Sequence, residues 1–211
     1  MKLTWIGHAC FKIEAEGVSI VVDPYAKGSV PGLSDVDEEA HLIFCTHEHG
    51  DHNGRDQVKE LDLPGDDHPY NILGFQTFHD DKNGSLRGMN TIFVIEYKGL
   101  RIAHMGDVGC ALTNEQLFLL KNVDVLLIPV GGTFTVTAKQ AREMVDQIGP
   151  KVVVPMHYRS DAFGYEVLTP VTDFTKLFEE SVVKFYEESS IEISKDMENQ
   201  VAVLTPARLA K

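Results

Sequence analysis

Thr46-His47-Glu48-His49-Gly50-Asp51-His52 places three histidines and one aspartate within six residues, a density that side-chain packing does not call for. Imidazole and carboxylate groups are ligands of zinc, manganese and iron. The preceding residues, Leu42-Ile43-Phe44-Cys45, are apolar and predict a buried strand. A loop that directly follows a strand is held in place by a rigid element. The stretch therefore predicts a metal site just beyond a strand end.

Three further residues of ligand type stand just past predicted strands. His79 follows segment 71–78, Asp107 follows segment 100–105, and His157 follows a third, apolar run. Strand ends at one edge of a sheet gather side chains from distant parts of a sequence. We therefore expect these three residues to lie beside the histidine-rich stretch.

The spacing H-x-H-x-D-H resembles the first metal motif of the metallo-β-lactamase superfamily. The whole chain is similar to a branch of small metal-dependent hydrolases that is related to ascorbate-6-phosphate lactonases. The pieces that carry this resemblance, in order, are Ile6-Gly7-His8-Ala9, Val22-Asp23-Pro24, residues 46–52, Phe78-His79-Asp80, Met105-Gly106-Asp107, Pro129-Val130-Gly131-Gly132 and Pro155-Met156-His157-Tyr158. The resemblance implies one α/β domain over residues 1–211. Its fold would be a four-layer αββα sandwich, two β-sheets face to face between helical layers, with the site at one edge of the sheets.

The resemblance also implies a set of metal ligands. His47, His49 and His79 would bind one divalent ion, and Asp51, His52 and His157 a second, with Asp107 bridging both. Asp51, His52 and Asp107 are the residues expected to carry the catalysis. Zinc is the first expectation for the metal, with manganese, iron and nickel as alternatives. A mononuclear enzyme that uses the same residues stays open.

Three residues near these motifs are candidates for contact with substrate or for support of the ligands. We expect His8, which interrupts two predicted strands, to reach the cleft as a hydrogen-bonding group. Gly132 lies in a Gly-Gly turn, which would allow close approach of the backbone to a ligand or serve as a plain strand-to-helix connection. Tyr158 follows His157 and could orient substrate. His104 is expected to be structural or to support the ligands.

The predicted elements are strands first, then strands alternating with helices, then strands again. Two capping boxes, Thr113 to Gln116 and Thr137 to Gln140, open helices, and Gly149-Pro150 ends the second. A short helix is expected over 53–60 and a third helix from Thr169-Pro170. Residues 25–40 are expected to be a loop, with a substrate-facing role and a plain connection equally open.

The predicted function is hydrolysis. Two divalent ions that share a water lower its pKa from 15.7 to roughly 7, so that a metal-bridged hydroxide would attack an ester, a lactone or a phosphodiester of a small molecule. Two ions, two aspartates and one hydroxide leave a net charge of about +1, which suits an anionic substrate. Iron-dependent redox chemistry on the same fold is one alternative, because imidazole and carboxylate also suit iron. A non-catalytic module that binds metal or senses a metabolite is the other.

Composition limits the possible partners. The 19 basic and 32 acidic residues give a net charge of −13, which argues against a nucleic-acid footprint. No apolar stretch approaches the ~20 residues of a membrane span, and no signal peptide is evident. We therefore expect a cytoplasmic protein with a small-molecule substrate, no nucleic acid and no membrane partner. Whether it forms a homo-oligomer is left open by the sequence.

Overall fold

A computed structural model describes residues 1–65 and 67–210, so residues 66 and 211 of the predicted domain lie outside it. The described elements, in chain order, are β1 (Lys2–Gly7), β2 (Cys10–Ala15), β3 (Val18–Val22), β4 (Glu38–Ala40), β5 (Leu42–Phe44), β6 (Val58–Glu60), β7 (Asn71–Phe78), β8 (Met89–Tyr97), β9 (Leu100–His104), α1 (Asn114–Leu119), β10 (Val125–Pro129), α2 (Ala138–Ile148), β11 (Val152–Met156), α3 (Thr172–Thr175), β12 (Val183–Phe185), β13 (Ser190–Glu192) and β14 (Gln200–Val203). Two 3₁₀ turns lie at Arg55–Gln57 and Glu180–Val182.

Two sheets carry the fold. The first has five strands in the order β13-β1-β2-β3-β5, and the second has seven in the order β12-β14-β11-β10-β9-β8-β7. In the first sheet β1, β3 and β5 point the same way, because β2 is antiparallel to β1 and β3, and β3 is parallel to β5. In the second sheet β7 and β9 are each antiparallel to β8, and β9, β10 and β11 are mutually parallel. The carboxyl ends of β7, β9, β10 and β11 therefore share one edge.

The core lies between the two sheets. The ring of Phe44 on β5 is 5.1 Å from that of Phe93 on β8, and the ring of Phe11 on β2 is 5.8 Å from that of His104 on β9. Buried side chains of both sheets form one apolar cluster. Helix α2 packs on β10 and against α3. The predicted α/β sandwich of two facing sheets is confirmed.

Both predicted capping boxes are present. The Thr113 hydroxyl accepts from the Gln116 amide N–H while the Gln116 side chain accepts from the Thr113 N–H, and Thr137 and Gln140 repeat the arrangement at α2. Gly149 ends α2 at a φ of 68°, a left-handed conformation that glycine adopts without strain. None of the described helices is long and apolar enough to cross a membrane.

The helix predicted over 53–60 is wrong. Only Arg55–Gln57 forms a 3₁₀ turn, and the next three residues are β6, which pairs in parallel with β4. The loop predicted over 25–40 likewise ends in β4 rather than in irregular backbone. A bond from the Leu61 N–H to the Ala40 carbonyl continues the pairing beyond β6. Pairing with a strand distant in sequence thus overrides the local helical pattern.

The third predicted helix is shorter than its apolar pattern suggested. Helix α3 has four residues, and beyond it Leu177 and Phe178 donate to the carbonyls three residues earlier. Such bonds make a tighter turn than an α-helix and rarely extend. Phe174 is buried and half-buried Phe178 packs on it edge to face with ring centroids 4.9 Å apart, whereas Leu177 is exposed.

Candidate metal centre

The site lies where strand ends of both sheets meet. His8 follows β1 and the histidine-rich stretch follows β5, whereas His79, Asp107 and His157 follow β7, β9 and β11. These strands share a direction within each sheet, so their carboxyl ends open onto a common edge. The gathering of these residues at one edge matches the sequence prediction.

One group of imidazoles is formed by His47, His49 and His79. One nitrogen of each ring lies within 4.8 Å of the others. The ring centroids of His79 are 4.6 Å from His47 and 5.0 Å from His49. His47 and His79 are buried, whereas His49 is exposed and faces the cavity. These are the three residues expected to share one ion.

A second group contains Asp51, His52 and His157, and His8 joins it. The Nε2 atoms of His52 and His157 lie 3.8 Å and 3.9 Å from Oδ2 of Asp51. Nε2 of His8 is closer, at 3.2 Å, and makes a hydrogen bond to the same oxygen. His8 therefore reaches the site as a hydrogen-bonding group, as expected, and holds the carboxylate in place.

Asp107 lies between the two groups. Its Oδ2 is 3.2 Å from Nε2 of His52 and of His157, 3.4 Å from Nε2 of His79 and 4.0 Å from that of His47. Ligand atoms on a cation with bonds of about 2.0–2.2 Å are spaced by about 3.3–3.6 Å when the geometry is tetrahedral. The spacings to His52, His157 and His79 are close to this value, and the spacing to His47 is longer.

Buried polar atoms without hydrogen-bond partners show whether the site suits a cation. Nε2 of His47, His52 and His157 and Oδ1 of Asp107 are all buried, and none has a hydrogen-bond partner within the described part of the chain. An unsatisfied buried polar group costs about 1–3 kcal/mol. Four such atoms in one place are explained by a ligand that accepts lone pairs from all of them, which is what a metal ion does.

Burial sets the charge of two of the imidazoles. It lowers the pKa of His8 to about 4 and that of His47 to about 3, with neighbouring histidines adding to the effect. Both rings are therefore neutral near pH 7, the form that binds a cation. Burial by itself would raise the pKa of Asp107, but the imidazoles of His157 and His52 hold it well below its usual value. Asp107 is therefore an ionised carboxylate, and His8 and His47 are neutral rings.

Asp23 orients His52, a role that sequence reasoning about single residues missed. Its Oδ2 accepts from Nδ1 of His52 and from the Thr46 hydroxyl, and its Oδ1 accepts from the Thr46 N–H, each at 2.7 Å. The bond to Nδ1 leaves Nε2 free to face the site. The sequence does point to this residue, because Asp23-Pro24 directly follows the buried strand β3 and Val22-Asp23-Pro24 belongs to the resemblance.

Asp107 is placed by a glycine turn. Gly106 has a φ of 54°, and a Cβ there would lie 2.2 Å from Oδ1 of Asn90 and 2.8 Å from the Thr46 side chain. The same Asn90 oxygen accepts from the Asp107 N–H at 2.9 Å. His104 accepts from the Gly106 N–H through Nδ1 and donates to the Ala9 carbonyl through Nε2. His104 is therefore a support of the turn, as predicted.

The structure does not place Tyr158 where it could orient substrate, and it shows Gly132 in a turn. Tyr158 is buried in the core, where its ring is 5.5 Å from Trp5 and 5.7 Å from Phe163, and it does not line the cavity. The residue after a site histidine at the end of β11 thus turns inward. Gly132 has a φ of 63° and shapes a turn, whereas Gly131 makes the close backbone approach: a Cβ there would lie 2.1 Å from the His157 carbonyl oxygen.

A cavity of about 330 Å³ opens beside the metal-ligand candidates. On one side it is lined by His49, Asp51, His79 and Asp107, and on the other by Arg87, Phe134 and Tyr165. Arg87 and Tyr165 are not among the candidates that the sequence offers, whereas Phe134 lies two residues beyond the candidate Gly132. Tyr165 donates its hydroxyl to the Ser29 carbonyl at 2.7 Å, which connects the cavity wall to the 25–40 segment. The volume suits a small molecule.

The two facing sheets and the cluster of histidines and aspartates at one edge define the metallo-β-lactamase fold. The chain belongs to the beta-lactamase superfamily, because the model of that superfamily's domain matches residues 2–157. The relation to ascorbate-6-phosphate lactonases that the sequence suggested stays a prediction.

Relatives and solved structures agree with this membership. A UPF0173 metal-dependent hydrolase of Methanoculleus marisnigri is 32% identical, over 75% of this chain and 81% of its own. Another, of Carboxydothermus hydrogenoformans, is 30% identical over 76% and 85%. A crystal structure of a Thermotoga maritima protein assigned to the zinc-dependent hydrolases of the superfamily is 35% identical, covers 96% of this chain and 97% of its own, and superposes with a TM-score of 0.75.

Proposed function

We propose that this chain is a metal-dependent hydrolase that binds two divalent cations, zinc first, and cleaves an ester, lactone or phosphodiester bond of a small molecule. The observation that carries the proposal is the set of unpartnered buried atoms: Nε2 of His47, His52 and His157 with Oδ1 of Asp107. The names of the relatives and of the Thermotoga maritima structure support the class of reaction.

The two groups of side chains divide the proposed binding between two ions. One cation would be held by His47, His49 and His79, the other by Asp51, His52 and His157, and both by Asp107. Nitrogen and oxygen donors without any thiolate suit zinc, manganese or iron. A structural zinc site is usually closed by four protein ligands, often cysteines, whereas this set lines an open cavity. The cavity thus favours catalysis over a purely structural role.

Bound together, two divalent cations lower the pKa of a shared water to roughly 7 and so supply a nucleophile at neutral pH. The chain's own residues prepare the place for that chemistry. His8 fixes the Asp51 carboxylate through its hydrogen bond of 3.2 Å. Asp23 fixes the orientation of His52. Asp107, 2% exposed, is shielded from bulk water, which strengthens its attraction for cations.

The test is metal content and activity on the same sample. Protein purified without added metal or chelator is expected to contain about two equivalents of zinc or manganese and to hydrolyse members of an ester, lactone and phosphodiester panel. Removal of the metal by a chelator should abolish that activity, and re-addition should restore it. Full metal loading with no hydrolysis on any member of the panel would contradict the proposal. Iron with oxygen consumption on thiols would favour redox chemistry instead.

Asp107→Ala tests the bridging position. We expect metal content to fall from about two equivalents to one or fewer, with activity near background, because both ions lose a shared anionic ligand. The matched control is Asp124→Ala, which removes another buried carboxylate, one that accepts from the Arg101 N–H at 2.9 Å and pairs with Lys195. Equal metal content in both variants would refute a two-ion site bridged by Asp107.

A further inference from the structure

Among the described residues that line the cavity, Arg87 is the one lysine or arginine. It lies on the wall that also contains Phe134 and Tyr165, and the metal-ligand candidates form the rest of the lining. In a chain of net charge −13, an arginine at this place stands out. Neither of its aromatic neighbours on this wall offers a charge to neutralise it.

The guanidinium of Arg87 is held in place, but no carboxylate of the described residues forms a salt bridge with it. Nη2 donates to the Thr133 carbonyl at 3.2 Å, and the guanidinium carbon lies 5.6 Å from the centre of the Phe134 ring. The salt bridges formed within residues 1–65 and 67–210 include several arginines, among them Arg101, Arg142 and Arg208, but not Arg87. Arginine has five N–H donors, and a single acceptor leaves most of them available to a ligand.

The backbone of Arg87 is fixed by its own loop. The carboxylate of Asp80 accepts four backbone N–H groups, from Lys82, Gly84, Leu86 and Arg87, at 2.8–3.0 Å. Asp80 directly follows His79, one of the metal-ligand candidates. The position of Arg87 is therefore tied to the position of the metal centre through one short, internally bonded loop, so the two are presented to a ligand together.

We propose that Arg87 binds a free carboxylate of the substrate while the scissile bond lies at the metal centre. A single guanidinium with two adjacent donors matches the two oxygens of a carboxylate. Phe134 and Tyr165, half-buried with ring centroids 6.3 Å apart, cover the short apolar spacer between the two ends of the substrate. The substrate class is thus a small half-ester or lactone acid whose hydrolysis releases a second anionic group. This inference rests on the proposed function.

Equilibrium binding tests the inference without turnover. Butyrate and succinate both offer one carboxylate to the metals, and only succinate carries a second one. Isothermal titration calorimetry on zinc-loaded protein should give a dissociation constant about 10- to 100-fold lower for succinate. Arg87→Gln should bring the ratio of the two constants close to one without changing the affinity for butyrate. Arg87→Lys should retain part of the ratio, because it keeps the charge but loses the fork of donors.

Arg142→Gln is the matched control. Arg142 also lies over a phenylalanine, Phe178, with its guanidinium carbon 4.2 Å from the ring centre, and donates to a backbone carbonyl, yet it is on α2 and outside the cavity. The Arg142→Gln variant should leave the ratio of the butyrate and succinate dissociation constants unchanged. A wild-type ratio near one, or an Arg87→Gln variant that weakens both ligands equally, would overturn the inference. Tighter, Arg87-dependent binding of 3-phosphonopropionate than of succinate would overturn the assignment to a carboxylate.

Kinetics separate this inference from the proposed function. With the 4-nitrophenyl monoester of succinic acid, Arg87→Gln should raise KM about 10- to 100-fold with little change in kcat, and with 4-nitrophenyl butyrate it should change neither. Hydrolysis of both esters with a binding ratio of one would refute the role of Arg87 alone. A ratio that depends on Arg87 in a protein that hydrolyses nothing would refute the hydrolase proposal alone.

Discussion

Replacing Asp23 with asparagine changes one atom in the support of His52 and should weaken metal binding from a position that contacts no metal. Oδ2 of Asp23 accepts from Nδ1 of His52 and from the Thr46 hydroxyl, and Oδ1 accepts from the Thr46 N–H. Burial opposes ionisation of Asp23, but the imidazole of His52 outweighs it and lowers the pKa of the carboxyl. The φ of Asp23 is 52°, in the left-handed region that asparagine also tolerates, so the backbone is not strained by the change.

The amide of asparagine cannot satisfy all three donors. If its oxygen accepts from the Thr46 N–H, its NH₂ group faces the N–H at Nδ1 of His52. His52 can relieve that clash by moving its proton to Nε2, and this blocks the atom that faces the site. If the amide is turned over, its NH₂ faces the Thr46 N–H instead, which leaves a buried donor unpaired at a cost of about 1–3 kcal/mol.

These alternatives set the expected magnitudes. Loss of a group that orients a ligand histidine lowers metal affinity about 10- to 100-fold, or about 1.4–2.8 kcal/mol. The free energy of unfolding of the metal-free Asp23→Asn variant should be about 1–3 kcal/mol lower than that of the wild-type protein. For a chain of this length, this corresponds to a fall in melting temperature of about 2–12 °C. The affected ion is the one assigned to His52, so the ion assigned to His47, His49 and His79 should be retained.

Zinc affinity is measured by competition with a chromophoric chelator, and stability by thermal unfolding of the metal-free protein. Asp124→Asn is the control, since Asp124 is also a buried carboxylate that accepts a backbone N–H and has a charged partner, but it lies away from the histidines. We expect it to lower the melting temperature without changing zinc affinity. If Asp23→Asn leaves both zinc affinities at their wild-type values, or lowers affinity no more than Asp124→Asn does, the assignment of His52 as a ligand oriented by Asp23 is refuted.

Two further predictions concern the turn that presents Asp107. Burial lowers the pKa of His104 below its ordinary value of 6.5, so the unfolded chain takes up a proton that the folded one resists, and the metal-free protein should lose stability as the pH falls below about 6.5. Chemical denaturation between pH 5 and 7 gives the free energy of unfolding as a function of pH. Its slope should be smaller in His104→Gln than in the wild-type protein by up to about 1.4 kcal/mol per pH unit, and equal slopes would contradict a neutral His104 ring. Gly106→Ala should lower the free energy of unfolding by several times the ~1–2 kcal/mol expected for an alanine in the left-handed region. It should also reduce the amount of bound metal, because the new Cβ would lie 2.2 Å from Oδ1 of Asn90. Gly99→Ala is the control, since Gly99 has a φ of 79° and no atom of the described residues lies within 4 Å of its Cβ; similar losses of stability in the two variants would refute the role of the Asn90 contact.

Much of the fold and the gathering of the ligand candidates could be predicted because the signals are local or directional. A capping box such as Thr137 to Gln140 is complete within four residues. His79 comes directly after β7 and Asp107 follows β9 after a short turn, and strands that run in one direction bring the residues beyond their carboxyl ends to one edge of the sheet. Both the capping box and the shared edge can be predicted without knowing how the chain runs between the elements involved.

The remaining features depend on contacts that no local pattern encodes. The segment 53–60 has a helical pattern, but its end pairs with β4. In the sequence, Arg87 lies in a polar loop and resembles any surface arginine. Its place beside the metal centre depends on the hydrogen bond from its backbone N–H to the Asp80 carboxylate. Tyr158 follows a site histidine, yet its ring packs against Trp5, and the backbone of His157 just before it turns at a φ of 54°. Each depends on a partner or a turn that becomes visible only in three dimensions.

The charge of His52 links the support of the site to its occupation by metal. The ring lies between two buried carboxylates, with Nδ1 2.7 Å from Asp23 and Nε2 3.2 Å from Asp107. Burial alone would lower the pKa of His52, but Asp107 and Asp23 outweigh it and raise the pKa well above 6.5. The metal-free protein therefore keeps a proton at the position that a cation would take, and cation binding must release it. The two carboxylates that make the site attractive to a cation also make a proton its competitor, which is why the Asp23 contact bears on metal affinity as well as on stability.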